Sequence, residues 1–151
     1  MAIPKQEPIL LIEKVFLLKS LRIFQDTPEN VLADLAPLLQ DMELEKGMEI
    51  FKEGDAGDSM YIIYQGEIRI SKGNTTLAIL KEKEVFGELS LLDAETRSAS
   101  AAAHTDCYLF KIDQEPFFEL IDSRPEIVLG FIKMLCKRLR ILNEKFEANP
   151  R

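Results

Sequence analysis

The sequence predicts an α+β fold, mainly β: a compact barrel or sandwich of short strands with helices before and after it. Three observations predict it. From Ile9 to Leu39 apolar residues recur mostly at three- and four-residue steps, the spacing of amphipathic helices. From Met48 to Ile112 the pattern changes to short runs rich in branched and aromatic residues, separated by Gly, Asp, Asn and Lys, which read as strands and turns. After Pro125 the helical spacing returns and holds to Phe146. At 151 residues, 46% hydrophobic and 30% charged, the chain has the composition of one soluble globular domain, large enough to fold without metal or disulfide staples.

Ile9, Ile12, Val15, Phe16 and Leu18 give the first helix its face. Thr27 followed by Pro28 predicts a second helix start, a capping hydroxyl before a proline in the first turn, with Val31, Leu32, Leu35, Leu38 and Leu39 apolar. Pro37 should bend or end it, because its ring removes a backbone donor. Strands are expected at Met48–Phe51, Met60–Tyr64, Glu67–Ser71 and Thr76–Leu80, with Gly54, Gly57, Gly66 and Gly73-Asn74 supplying turns. A short helix at Glu88–Leu92 interrupts them, and strands resume at Ser98–Ala103 and Cys107–Ile112. Glu115–Ile121 reads as a short helix and Pro125 opens a longer one. Its residues Val128, Ile132, Leu135, Leu139, Leu142 and Phe146 form a seam that suits packing on the chain's own domain slightly better than a dimer stripe. The expected layout is one domain over 1–151: a helical flank at about 9–40, a β-roll at about 42–113 and C-terminal helices at about 114–147.

Charge and residue usage narrow the function. A net charge of −7 repels a phosphate backbone, so nucleic acid is not an expected partner. Lys133, Lys137, Arg138 and Arg140 read as a solvated helix face. Cys107 and Cys136 read as reduced core residues rather than a disulfide framework or zinc site, and His104 as a lone strand histidine. One histidine supports neither a His-ligated metal centre nor a hydrolytic triad. The stretch Ile9–Phe24 carries Glu13, Lys14, Lys19 and Arg22, too many charges for a bilayer span, and the start from Met1 to Pro8 lacks a secretion signal, so a cytoplasmic location is expected.

The segment Val85–Ser100, VFGELSLLDAETRSAS, carries the chemistry. Gly87 lets backbone approach a ligand, and the amides near Leu89 and Ser90, at a helix start, would point donors at an anion. Arg97 can give two parallel hydrogen bonds to phosphate oxygens, with the Ser98 hydroxyl beside it. Glu88 would be repelled by phosphate, so its useful task is to accept bonds from a sugar hydroxyl while Arg97 balances its charge. The bland reading is a surface ion pair of little worth with Gly87 making a turn. Glycine, glutamate, helical turn, arginine and serine together between strands favour the site.

With FKEGDAGDSMYIIYQGEIRI, the segment FGELSLLDAETRSAS and the leading and closing helices, the chain resembles the cyclic nucleotide-binding domain family, which includes the catabolite activator protein and the regulatory subunits of protein kinase A. The resemblance implies a double-stranded β-helix (jelly-roll) barrel with N-terminal helices and a C-terminal helical lid. It makes Glu88 the ribose ligand and Arg97 the phosphate ligand. Phe86, Gly87, Leu89, Ser90, Ser98 and Ala99 would line the same pocket, with Leu77 and Ala78 along its wall near the base. Ser98 looks more like the cyclic AMP group than the cyclic GMP group. Where relatives usually have glycine before the cassette, Lys83 stands in KEKEVFGE, so that turn must be remade or strained. The family's transcription factors continue into a winged helix-turn-helix for which this chain has no room.

The expected function is therefore a regulatory sensor that binds cyclic AMP, or cyclic GMP as the alternative ligand, and signals by movement of the C-terminal helix toward an effector domain or second copy. No catalysis, cofactor, metal or direct membrane insertion is expected. The competing reading is a domain of the same fold that has lost its ligand and docks a partner through its last helix.

Overall fold

Strands β3 (Ser59–Gln65) and β8 (Cys107–Asp113) send alternate side chains into two different cores. Met60, Ile62, Tyr108, Phe110 and Ile112 face one core, while Tyr61, Ile63, Cys107 and Leu109 face the other. Successive residues of a strand point to opposite faces, so two strands serve as a wall common to both. The computed structural model describes residues 8–148; the start up to Glu7 and residues 149–151 lie outside it.

The strands form two antiparallel four-stranded sheets. One runs β1 (Gln40–Leu44), β8, β3, β6 (Val85–Phe86); the other runs β2 (Glu49–Phe51), β7 (Ser100–Ala103), β4 (Ile68–Lys72), β5 (Thr75–Leu80). Register is explicit where the sheets are longest: Met42 pairs with Leu109, Ile62 with Phe110 and Ile70 with Ala101. The second core lies between the sheets, where Phe51, Tyr61 and Phe86 meet.

Helices cover the outer face of the first sheet and make the other core. They are α1 (Leu11–Ser20), α2 (Glu29–Leu35), α4 (Gln114–Ser123) and the root of α5 (Val128–Ala148). Phe131 of α5 is fully buried, edge-on to Phe24 and Phe117 with ring centroids 5.8 and 5.4 Å away. Gly130 makes this packing possible, because a Cβ there would stand 1.7 Å from the Ile23 carbonyl oxygen. Lys14 of α1 reaches Asp41 of β1 at 3.4 Å, and the Tyr108 hydroxyl donates to the same carboxylate, pinning helix to sheet.

Several expectations need correction. Thr27 does not cap α2: the helix begins at Glu29 with Pro28 at its cap position and no side-chain cap, and the Thr27 carbonyl instead accepts from Lys19 Nζ at 2.7 Å. Pro37 acts as expected, leaving a 3₁₀ turn at Ala36–Leu38 after α2. Strand β1, whose residues Gln40, Asp41 and Glu43 are exposed on a sheet edge, lies where no strand is expected from the sequence. His104 lies in the turn after β7, exposed. Cys136 is only half-buried on α5, whereas Cys107 is buried and its thiol is pushed up by that burial. Most of the α5 seam does not pack on its own domain: Val128 lies against the helical core and Leu135 is half-buried, but Ile132, Leu139, Leu142 and Phe146 are exposed, Phe146 by 75%. None of the helices among the described residues is long and apolar enough to cross a membrane.

Candidate functional site

The loop between β2 and β3 lies along the segment after α3 (Glu88–Leu92) and fixes the backbone of Arg97. The Arg97 amide donates to the Asp55 carbonyl at 2.7 Å, the Gly54 amide to the Arg97 carbonyl at 2.8 Å, and the Gly57 amide to the Glu95 carbonyl at 3.2 Å. Four backbone residues of one loop thus set where the guanidinium starts, since Ala56 and Thr96 also form a β-bridge.

The Arg97 side chain then turns inward and is 6% exposed. Its Nη2 donates to the Ser59 carbonyl at 3.0 Å, and its guanidinium carbon lies 4.1 Å from the centre of the Phe51 ring and 5.8 Å from that of Tyr61. Aromatic faces attract a cation through their quadrupole. Tyr61 is itself stacked on Phe86, centroids 5.0 Å apart and planes 13° from parallel. Two glycines leave space for the group: a Cβ on Gly57 would stand 2.2 Å from Nε, and one on Gly87 would stand 2.8 Å from Nη1. Gly87 also has φ +76°, the left-handed conformation that glycine adopts without steric cost. Nε and Nη1 are buried and without a hydrogen-bond partner. A buried donor left unpaired costs about 1–3 kcal/mol, more when charged, so this arrangement suits an anion arriving from outside.

Glu88, the first residue of α3, is 7% exposed. Its Oε1 accepts from Nη2 of Arg138, on α5. The expectation that Arg97 balances Glu88 is corrected, since its cation is Arg138. The bland alternative, an exposed Glu88–Arg97 pair, does not hold either, because both groups are buried. Lys133, Lys137, Arg138 and Arg140 are exposed, as a solvated helix face would be, but Arg138 also reaches Glu88, and Lys133 pairs with Asp26 at 3.2 Å.

The remaining expected residues are placed as follows. Phe86 and Ser90 are buried, Leu89 and Ser98 exposed, and Ala99 half-buried. The Ser90 amide donates to the Gly87 carbonyl at 3.1 Å, so that donor is already used within the turn. Leu77 sits on β5, the outer strand of its sheet, and is 56% exposed. Lys83 takes φ +69° itself, with its amide bonded to the Ile63 carbonyl at 2.9 Å, so the turn keeps a glycine-like shape at a non-glycine residue. Sequence reasoning does not single out Gly57, Phe51, Tyr61, Ser59 or Arg138 as site residues. Arg138 alone had a legible signal: it follows Phe131 and Met134 on one helix face, at the i, i+3, i+7 spacing of a buried stripe. No group of three or more His, Cys, Asp or Glu among the described residues could hold a metal ion.

Two antiparallel sheets with helical flanks, around a buried guanidinium whose Nε and Nη1 await acceptors, define a ligand-binding β domain. The chain belongs to the cyclic nucleotide-binding domain family, whose profile matches residues 41–124. It is 32% identical over 126 residues to a CRP-like cAMP-activated global transcriptional regulator of Mycobacterium tuberculosis, a match that takes in 80% of this chain and 56% of that protein. It is 31% identical over 93 residues to a cGMP-dependent protein kinase of Caenorhabditis briggsae, covering 62% of this chain and 12% of the kinase. Among solved structures it superposes on the catabolite activator protein of Thermus thermophilus with a TM-score of 0.75 and 30% identity, covering 84% of this chain and 62% of that one. The chain thus spans little more than half of the mycobacterial relative's length. The expectation that nucleic acid is no partner finds no support here, since that relative is named as a transcriptional regulator.

Proposed function

We propose that the chain is a regulatory sensor whose ligand is a cyclic nucleotide, cyclic AMP in the first instance, and that it performs no catalysis of its own. The observation that carries this reading is the Arg97 guanidinium, buried in an aromatic and carbonyl cradle with Nε and Nη1 unpartnered. A cyclic phosphodiester carries one negative charge and two exocyclic oxygens, a match for a planar guanidinium. Glu88, buried next to Gly87, then accepts from the ribose hydroxyl. Ser98 and the relative named as cAMP-activated support cyclic AMP, and the relative named as a cGMP-dependent kinase makes cyclic GMP the comparison ligand. The pairing of β1 with β8, β2 with β7 and β4 with β5 supports reading the sheets as one jelly-roll that encloses the site. The exposed seam of α5 supports a signalling surface for an effector domain or second copy.

A thermal-shift panel of cyclic nucleotides on wild type and Arg97→Ala tests this. Saturating cyclic AMP should raise the melting temperature of the wild type and leave Arg97→Ala unmoved, because only a ligand bound to the native state stabilises it. An unmoved wild type with both cyclic AMP and cyclic GMP at millimolar concentration would overturn the reading.

A further inference from the structure

Two neighbouring residues at the junction of β8 and α4 stand behind both charged groups of the site. Asp113 closes β8 and accepts from the Ser59 hydroxyl at 2.7 Å, and the Ser59 carbonyl in turn accepts from Arg97. Gln114 opens α4 and reaches toward the other group. Its backbone amide donates to the Asp58 carbonyl at 2.9 Å, and its side-chain Nε2 donates to the Leu91 carbonyl at 3.1 Å in a partly buried bond.

The bond to Leu91 matters because little else fixes the orientation of α3. A helix of five residues is not stable by its own hydrogen bonds, and the carbonyls of its last turn have no intrahelical amide. It starts from Gly87 in the left-handed conformation, so no side chain braces the turn that leads into it. The Leu91 side chain is fully buried in the helical core and seats the helix. Apolar contact is non-directional, whereas a hydrogen bond weakens steeply as its donor angle departs from linear. Glu88 and Leu91 are separated by nearly one turn, about 4.5 Å along the axis. A rotation of the helix at its Leu91 end therefore carries the Glu88 carboxylate with it.

We propose that Gln114 is a positioning residue for Glu88: by holding the Leu91 carbonyl it sets the rotation of α3 and so decides how well the carboxylate meets a sugar hydroxyl. The guanidinium of Arg97 is set by the sheets and by the loop before β3, and does not depend on that bond. Gln114 therefore contributes selectivity for a ribose with its 2′-hydroxyl free, and little of the affinity for the phosphate. This role rests on the ligand reading above and adds to it a determinant on α4.

Calorimetric titration of the full chain tests it, with cyclic AMP, or cyclic GMP where that binds tighter, and with the 2′-deoxy analogue of the same nucleotide. Gln114→Met keeps the length of the side chain and removes the donor. It should weaken binding of the ribonucleotide roughly tenfold and that of the 2′-deoxy analogue less than about twofold, the loss of one hydrogen bond to the sugar. A merely structural role lowers both alike. Gln114→Glu has the same shape and, ionised, no donor; it should lose at least as much of the preference, and it decides the matter if the Met variant does not fold. Gln114→Arg restores N–H donors and should recover most of the preference. Equal losses for the two nucleotides, no loss for the ribonucleotide, or no recovery with Arg overturns the positioning role and leaves the ligand reading intact. A wild type that binds none of these nucleotides overturns the ligand reading and this role with it.

Discussion

Arg97 and Glu88 are buried charges from one short segment, and they are held in opposite ways. Arg97 is built in by the roll: a loop fixes its backbone, Phe51 and Tyr61 face its guanidinium, and Ser59 takes one of its protons in a hydrogen bond. Glu88 is held from across the site by a helix whose outer half has no other support in the second core. The setting of Arg97 is thus a property of the sheets, whereas that of Glu88 depends on where α5 lies. A charge held by two sheets keeps its place when a helix moves, whereas one held by a helix does not.

The sharpest way to break this contrast is to fill the cradle of Arg97. Gly57→Ala places a methyl 2.2 Å from Nε and 2.5 Å from Cζ, and the guanidinium, backed by Phe51, must leave its position. Cyclic nucleotide affinity measured by calorimetry should fall on the order of a hundredfold, the loss of charge-assisted bonds to the ligand. Circular dichroism should remain that of wild type, since Gly57 has an ordinary φ. A variant that binds as tightly as wild type would show that the cradle does not position the arginine. Phe51→Leu removes the ring 4.1 Å from the guanidinium while keeping an apolar side chain, and should weaken binding about fivefold, the worth of a partly desolvated cation–π contact.

Ser59→Ala probes the outer support of the same end and should have the smallest effect on ligand, because the carbonyl that Arg97 uses remains. Its hydroxyl donates to Asp113 at 2.7 Å. Burial works to raise the Asp113 carboxyl, but the bonds from Ser59 and Gln40 and the Lys111 ammonium outweigh it and hold it below the usual carboxylate range. A carboxyl depressed in the folded state contributes stability above its unfolded pKa of about 4 and loses it as pH falls through the folded value. Ser59→Ala should therefore lower the melting temperature by roughly 3 °C at pH 7, with the gap to wild type narrowing as the solution is acidified below pH 4. A gap that is constant or widens toward low pH would remove Asp113 from the account.

The same contrast separates what the sequence makes legible from what it does not. Strands β3 and β8 could be read because their apolar runs are long and branched, and α3 because glycine and glutamate open it. Strand β1 could not, because its QDMEL is an edge whose pairing with β8 decides its conformation against weak local preference. At the site, Gly87, Glu88 and Arg97 were visible as types whose chemistry suits a phosphate and a sugar. Gly57 reads as one more turn glycine, since its closeness to Arg97 depends on an approach of two distant segments that no local pattern encodes. Arg138 sits among Lys133, Lys137 and Arg140, and charge alone does not distinguish the one that reaches Glu88. The seam of α5 carries a repeat that fits packing on its own domain only slightly better than a dimer stripe, so spacing could not say that most of it stands uncovered.

The meeting of Gly130 with the Ile23 carbonyl gives α5 the mechanics of a lever. With no side chain between the two backbones, the fulcrum is fixed, and the arm from there to Phe146 is about 24 Å long at 1.5 Å per residue. A tilt of about 10° about that point would carry the far end about 4 Å, a displacement comparable to the width of a side chain.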